Sequence, residues 1–135
     1  VTGVSAPVRI DARAGRDVIL LGDLSPAGGL GAIAAPLVLL AGADGGDLQV
    51  RSGARADLTL GRVDAVRGRM TEAGASGSVE FEAFSQVSVE LGDAADTLTI
   101  VDTVAAVDVT TGNGGDTVTI ADICREADVG RGTFF

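Results

Sequence analysis

Residues 91–110 (LGDAADTLTIVDTVAAVDVT) and 111–130 (TGNGGDTVTIADICREADVG) read as two copies of one twenty-residue unit. Eight of the twenty positions are identical: Gly92/Gly112, Asp96/Asp116, Thr97/Thr117, Thr99/Thr119, Ile100/Ile120, Asp102/Asp122, Asp108/Asp128 and Val109/Val129. Leu98/Val118 and Asp93/Asn113 are conservative pairs besides. A weaker echo runs backward, since Val87 and Val89 precede Val107 and Val109 by the same interval. Gly45-Gly-Asp47-Leu-Gln-Val50 and Gly53-Ala-Arg-Ala-Asp57-Leu-Thr-Leu60 repeat the order of glycine, aspartate and alternating residues. Self-similarity at a fixed period marks chains whose units bury their apolar faces against one another.

Inside and outside these units apolar residues alternate: Val8/Ile10, Val18/Leu20, Leu37/Leu39, Leu48/Val50, Leu58/Leu60, Val79/Phe81, Val87/Val89, Leu98/Ile100, Val107/Val109 and Val118/Ile120. Period-two alternation bounded by Gly, Asp, Asn or Ser predicts short half-buried strands. No stretch of ten residues carries a helical stripe, and 20 glycines in 135 residues disfavour helix. An all-β single domain over 1–135 is expected, irregular over 1–45 and most regular over 87–130. The repeat and a core of Val, Leu, Ile and Ala point to a parallel β-helix (β-solenoid) of about 20 residues per coil, its coils ~4.8 Å apart. A sandwich or barrel, which also uses evenly spaced short strands, is the rival.

Composition narrows function. Four Phe are the only aromatics and His is absent, so an aromatic-lined cofactor pocket has little to be built from. All ten cations are Arg, and the formal charge is −9. Residues 1–70 carry eight Arg and seven Asp, whereas 71–135 carry twelve acids and two Arg. That balance argues against nucleic acid and against an anionic membrane surface. Gly28–Gly42 (GGLGAIAAPLVLLAG), the most apolar stretch, is interrupted by Pro36, is too short to span a bilayer, and reads as a wide loop followed by a strand. The lone Cys124 forms no internal disulfide, and without a His to activate it reads as a small apolar residue. A chain beginning at Val1 with no basic segment before an apolar run is expected to be a processed product or an excerpt of a longer protein.

Stacking at twenty residues sets Asp96 on Asp116, Asp102 on Asp122 and Asp108 on Asp128. Like charges at a strand spacing cost about 1 kcal/mol per pair even in water-like dielectric. Cation binding, raised pKa values or outward splaying would relieve it, and solvation suffices for Asp108 and Asp128 at outward positions. Asp96 and Asp116 open strands after Gly-rich turns, where a metal fits better. Thr111-Gly112-Asn113-Gly114-Gly115-Asp116-Thr117-Val118-Thr119 resembles the calcium-binding nonapeptide G-G-x-G-x-D-x-U-x of RTX proteins, departing at Thr111. Leu91–Thr99 is a poorer copy, with Ala94 in place of the second glycine, and the family's nine-residue period is absent. The resemblance implies calcium held by Asp96, Asp116, Asn113, Gly112 and Gly114; the alternative is a Gly/Asp turn with no ion.

Over most of the chain, phrases such as Asp17-Val-Ile-Leu-Leu-Gly-Asp23, Gly46-Asp-Leu-Gln-Val-Arg-Ser52, Leu58-Thr-Leu-Gly-Arg-Val63 and Val87-Ser-Val-Glu-Leu-Gly-Asp93 resemble the repeats of giant bacterial surface proteins, including filamentous-haemagglutinin-like adhesins. That resemblance implies a right-handed parallel β-helix, an extracellular or cell-surface location, and a non-catalytic structural or adhesive role in adhesion, filament or matrix building. A calcium-dependent RTX-like β-roll module is the alternative function.

Other functions find less support. Glu80 and Glu82 alternate with Val79 and Phe81, which makes them the wet face of a strand, not paired catalytic carboxylates with Glu90. Gly28-Gly29-Leu30-Gly31 and Gly112-Asn113-Gly114-Gly115 lack the following Lys and helix of a phosphate cradle. Thr97, Thr99, Thr117 and Thr119 would form a two-by-two outward array similar to the face of ice-binding solenoids. Open strand edges predict end-to-end self-association or continuation in a longer chain, with Arg51, Arg55, Arg62, Arg67 and Arg69 meeting a neighbour's acidic half. Phe134-Phe135 reads either as an apolar cap or as the start of a truncated coil.

Overall fold

The computed structural model describes residues 3–25 and 28–120. Among these the chain forms β1 (Val8–Asp11), β2 (Asp17–Asp23), β3 (Leu37–Leu40), β4 (Gly46–Ser52), β5 (Asp57–Arg62), β6 (Arg67–Glu72), β7 (Val79–Glu82), β8 (Gln86–Leu91), β9 (Thr97–Ile100), β10 (Ala106–Thr110) and β11 (Thr117–Ile120). The strands make two open sheets, β1-β3-β7-β6-β5-β9-β11 and β10-β8-β4-β2. Among the described residues no helix is long and apolar enough to cross a membrane.

This corrects the expected right-handed parallel β-helix of about 20 residues per coil. A twenty-residue interval holds only for Gln86–Glu90 against Ala106–Thr110 and for Thr97–Ile100 against Thr117–Ile120. Elsewhere Val8 pairs with Leu37, Leu37 with Val79, Leu48 with Val87 and Leu58 with Leu98, at intervals of 29, 42, 39 and 40 residues. The seven-stranded sheet is also mixed, because β6 runs antiparallel to both β5 and β7. Two insertions explain the break in period. The crossover from Asp23 to Leu37 lengthens the first step, and the β5–β6 hairpin lengthens the next. The hairpin turn is held by Asp64, whose Oδ1 accepts the N–H groups of Val66 and Arg67 at 2.9 Å each.

Alternation decides which residues face inward. Leu37, Leu39, Leu48, Leu58, Leu60 and Phe81 are fully buried, and a single cluster draws on both sheets. At ~25 cal/mol per Å2, burying such a side chain stabilises the fold by about 1.5–3 kcal/mol before ordering costs. β2 departs from the expected phase. Ile19 and Leu21 face inward opposite Leu48 and Val50, while Val18 and Leu20 are 59% and 38% exposed. Four consecutive apolar residues, Val18 to Leu21, leave the phase undetermined along the strand, and pairing with β4 decides it.

The arginines in the middle of the sequence are mostly engaged within the molecule. Arg51 meets Glu90 at 3.1 Å, Arg62 meets Asp102 at 3.2 Å, Arg67 meets Glu82 at 3.1 Å, and Arg69 lies 3.8 Å from Glu80. Glu80 and Glu82 are thus ion-pair partners on β7, and Glu90 belongs to the other sheet.

Candidate functional site

The strands β5, β9 and β11 lie side by side, and each follows a turn whose last residue is Ala56, Asp96 or Asp116. The two carboxylates act on these turns in the same way. Asp96 Oδ1 accepts the N–H of Ala56 at 2.7 Å, and Asp116 Oδ1 accepts the N–H of Asp96 at 3.0 Å. The Thr117 N–H donates to the Asp96 carbonyl at 2.8 Å, so the same residues are tied through the main chain as well. Each carboxylate therefore meets a backbone donor on the neighbouring turn, which relieves the repulsion that stacking would create. A charge-assisted bond of this kind is roughly twice as strong as a neutral one. Asp93 and Asn113 repeat the device at the surface, Asp93 Oδ1 accepting from Asn113 N at 3.2 Å and from Asn113 Nδ2 at 3.0 Å.

Gly112 and Gly114 have a steric role in the same turns. A Cβ on Gly112 would collide with the carbonyl oxygen of Gly92, and one on Gly114 with that of Ala94. The turn 111–116 lies so close to the turn 91–96 that only hydrogen fits there. Asp96, Asp116, Asn113, Gly112 and Gly114 are accordingly neighbours in space, joined by hydrogen bonds and close backbone approach. Among the described residues no group of three or more His, Cys, Asp or Glu side chains is placed to hold a metal ion. Asp122, Cys124, Asp128, Val129 and Phe134-Phe135 lie outside the described residues.

One part of this column was not legible in the repeat. Asp96 is 1% exposed, and its second oxygen, Oδ2, is buried without a hydrogen-bond partner. Glu72 ends β6 opposite the buried Leu58, on the same face as Met70, and its Oε2 is likewise buried and unpartnered. Burial pushes the Glu72 carboxyl above its usual range; the Leu30 N–H pulls it back, and the negative charges of Asp57 and Asp96 push it further. Neither Glu72 nor Asp96 forms an ion pair with any described arginine. Sequence reasoning missed Glu72 because only the antiparallel return of β6 brings it beside β5.

Two outward surfaces complete the candidates. Gln49, Ser88 and Asp108 form one row across β4, β8 and β10, and Arg51, Glu90 and Thr110 the next. They line a shallow groove of about 180 Å3. On the other sheet the expected threonine array extends further than two strands, since Thr71, Thr59, Thr99 and Thr119 are successive partners across β6, β5, β9 and β11. Comparison with models of protein families, with characterised proteins and with solved structures finds no match for this chain.

Proposed function

We propose that this chain is a non-catalytic structural module, of the kind from which adhesive or filament-forming proteins of the bacterial surface are assembled, and that it works outside the cell or on its surface. One observation carries the reading: the polar residues repeated in the sequence are engaged in tying turn to turn. Asp96, Asp116, Asp93 and Asn113 hydrogen-bond across neighbouring turns. Arg51, Arg67 and Arg69 pair with acids on adjoining strands, and Arg62 with Asp102 just beyond the end of β9. A catalytic chain would keep such groups free at a cleft. The surface location rests on the resemblance of the strand phrases to adhesin repeats.

A second reading, a calcium-dependent RTX-like module, is favoured by a separate observation. Asp96 Oδ2 and Glu72 Oε2 are oxygen ligands of the sort a hard cation takes, and both lack partners. The two readings part in a chelator. Circular dichroism of the purified chain in EDTA, then with added calcium, is the test. The structural module keeps its strand signal and melting temperature throughout, because a backbone amide already meets Oδ1 of both Asp96 and Asp116. Loss of the strand signal in EDTA, restored by calcium, would replace the first reading with the second.

A further inference from the structure

We propose that the outer face of the four-stranded sheet binds a glycan whose sugars carry free amino groups, one such sugar seated in the groove over Ser88. The inference rests on the structural and adhesive reading and names the chemistry to which the module adheres. The site follows from the register of three strands. Gln49, Ser88 and Asp108 are partners across β4, β8 and β10, and Arg51, Glu90 and Thr110 are partners two residues further along. Alternation points these six side chains outward, since Leu48, Val50, Val87 and Val89 between them are buried. Gln49 and Asp108 stand two strand spacings apart, about 9.6 Å, and the short side chain of Ser88 leaves a gap between them. The resulting groove of about 180 Å3 is smaller than the ~300–1,000 Å3 of pockets that enclose a drug-sized ligand. It has room for one sugar ring, and being shallow it leaves the neighbouring sugars of a chain outside.

Hydrogen-bonding capacity points to a sugar. Among the described residues the side chains of Gln49, Asp108 and Thr110 have no hydrogen-bond or ion-pair partner. Ser88 Oγ accepts from Gln86 Nε2 at 3.4 Å and keeps its own proton to donate. An amide, two hydroxyls and a carboxylate thus line the groove, donors mixed with acceptors. Sugar hydroxyls, which both donate and accept, match such a set. An apolar or aromatic ligand finds no ring and no aliphatic wall, because Val50 and Val89 turn their side chains into the core and present only main chain.

Charge points to the amine. The groove is lined by the carboxylates of Glu90 and Asp108 and the guanidinium of Arg51. Arg51 Nε meets Glu90 Oε2 at 3.1 Å, which leaves the exposed Asp108 as the one unpaired charge of the lining. The formal charge of the chain, −9, has the same sign. An anionic sugar is therefore repelled and a cationic one attracted. An ammonium group is a compact charge with three donors. Asp108 supplies its counter-charge, and the hydroxyl oxygens of Thr110 and Ser88 supply acceptors beside it. Charge-assisted hydrogen bonds are the stronger kind, so the amino group sets the preference over the same sugar without it.

Titration of the isotopically labelled full chain with a glucosamine oligomer tests the proposal, read by amide chemical shifts in low-salt buffer acidic enough to keep the amines protonated. Shifts are expected at Gln49, Ser88, Asp108 and Thr110, with binding that weakens several-fold at high salt. The N-acetylated oligomer, which lacks the charge, should bind at least several-fold more weakly. So should oligolysine, which has the charge without the hydroxyls. Asp108→Asn should bring the glucosamine oligomer down to the affinity of the N-acetylated one. Ser88→Gln, which fills the gap, should abolish binding with an unchanged circular dichroism spectrum, and Thr119→Ala, on the other sheet, should bind like wild type. Equal binding of the N-acetylated oligomer or of oligolysine overturns the proposal, as do shifts centred elsewhere, no shifts at all, or wild-type binding by Asp108→Asn or Ser88→Gln. The chelator experiment decides the structural reading separately. A chain that keeps its strand signal in EDTA and ignores the glucosamine oligomer remains a structural module without this glycan site.

Discussion

At the scale of single residues, the turn preceding β11 separates two explanations of the same motif. If Gly112 is there because the neighbouring backbone leaves no room, Gly112→Ala must move one turn off the other. Forcing a methyl into a packed contact costs about 1–3 kcal/mol. Gly115, three positions on, has open space around its Cα, and Gly115→Ala should stay within ~0.5 kcal/mol of wild type. Urea unfolding of both variants checks this, and equal effects would remove the steric account. Asp96→Ala leaves the buried Ala56 N–H without its acceptor, at a cost of roughly 1–3 kcal/mol. Asp96→Asn, which keeps an oxygen at that place, should lose less. Glu72 gives a pH signature. Its carboxyl is displaced upward from the ordinary 4.5, so the folded state takes up the proton first as pH falls. The contribution is full below 4.5 and is lost as pH rises through the displaced value. Wild type should therefore lose stability relative to Glu72→Gln as pH rises above the ordinary 4.5, and a difference that stays constant on that rise would contradict it. Asp96, Asp116 and Asn113 could be singled out from the repeat alone. What they bond to could not, because Ala56, the donor to Asp96, lies forty residues away in a unit that has alanine at this place and carries its aspartate one position later, at Asp57.

At the scale of elements, strand existence was legible and strand order was not. Leu37/Leu39, Leu48/Val50, Leu58/Leu60 and Val87/Val89 announce themselves by alternation, and all are buried. β6 does not, since Arg67-Gly-Arg-Met-Thr-Glu72 offers one apolar side chain, Met70, and a glycine. That glycine is explained by its neighbour, for a Cβ on Gly68 would run into the ring of Phe81, which packs edge-on to Phe84 at 6.4 Å between centroids. Gly68→Ala is expected to destabilise by about 1–3 kcal/mol, through displacement of that ring. A melting temperature unchanged by Gly68→Ala would show that β6 does not lie against β7. The twenty-residue period was legible because it is real between β8 and β10 and between β9 and β11. Extending it to the whole chain failed because a hairpin insertion leaves the hydrophobic period of its flanking strands intact while changing which strands meet.

At the scale of the whole molecule, all pairings but those of β6 run parallel, and contacts between residues far apart in sequence dominate the fold. Such a topology closes its core late and folds slowly, on the millisecond-to-second scale. The uneven charge also finds a use: cations of the first half bridge to acids of the second, holding early strands to late ones. Each such exposed pair contributes about 0.2–1 kcal/mol, so cohesion rests on the shared apolar core. The core and the carboxylate column both depend on a register that changes along the chain. Nuclear Overhauser contacts between backbone protons of the isotopically labelled chain test it directly. Cross-strand contacts of Leu58 with both Leu98 and Glu72, and of Ile100 with Ile120, are expected. Contacts at a uniform twenty-residue interval, with Val79 opposite Thr99 and no antiparallel signals from β6, would contradict it.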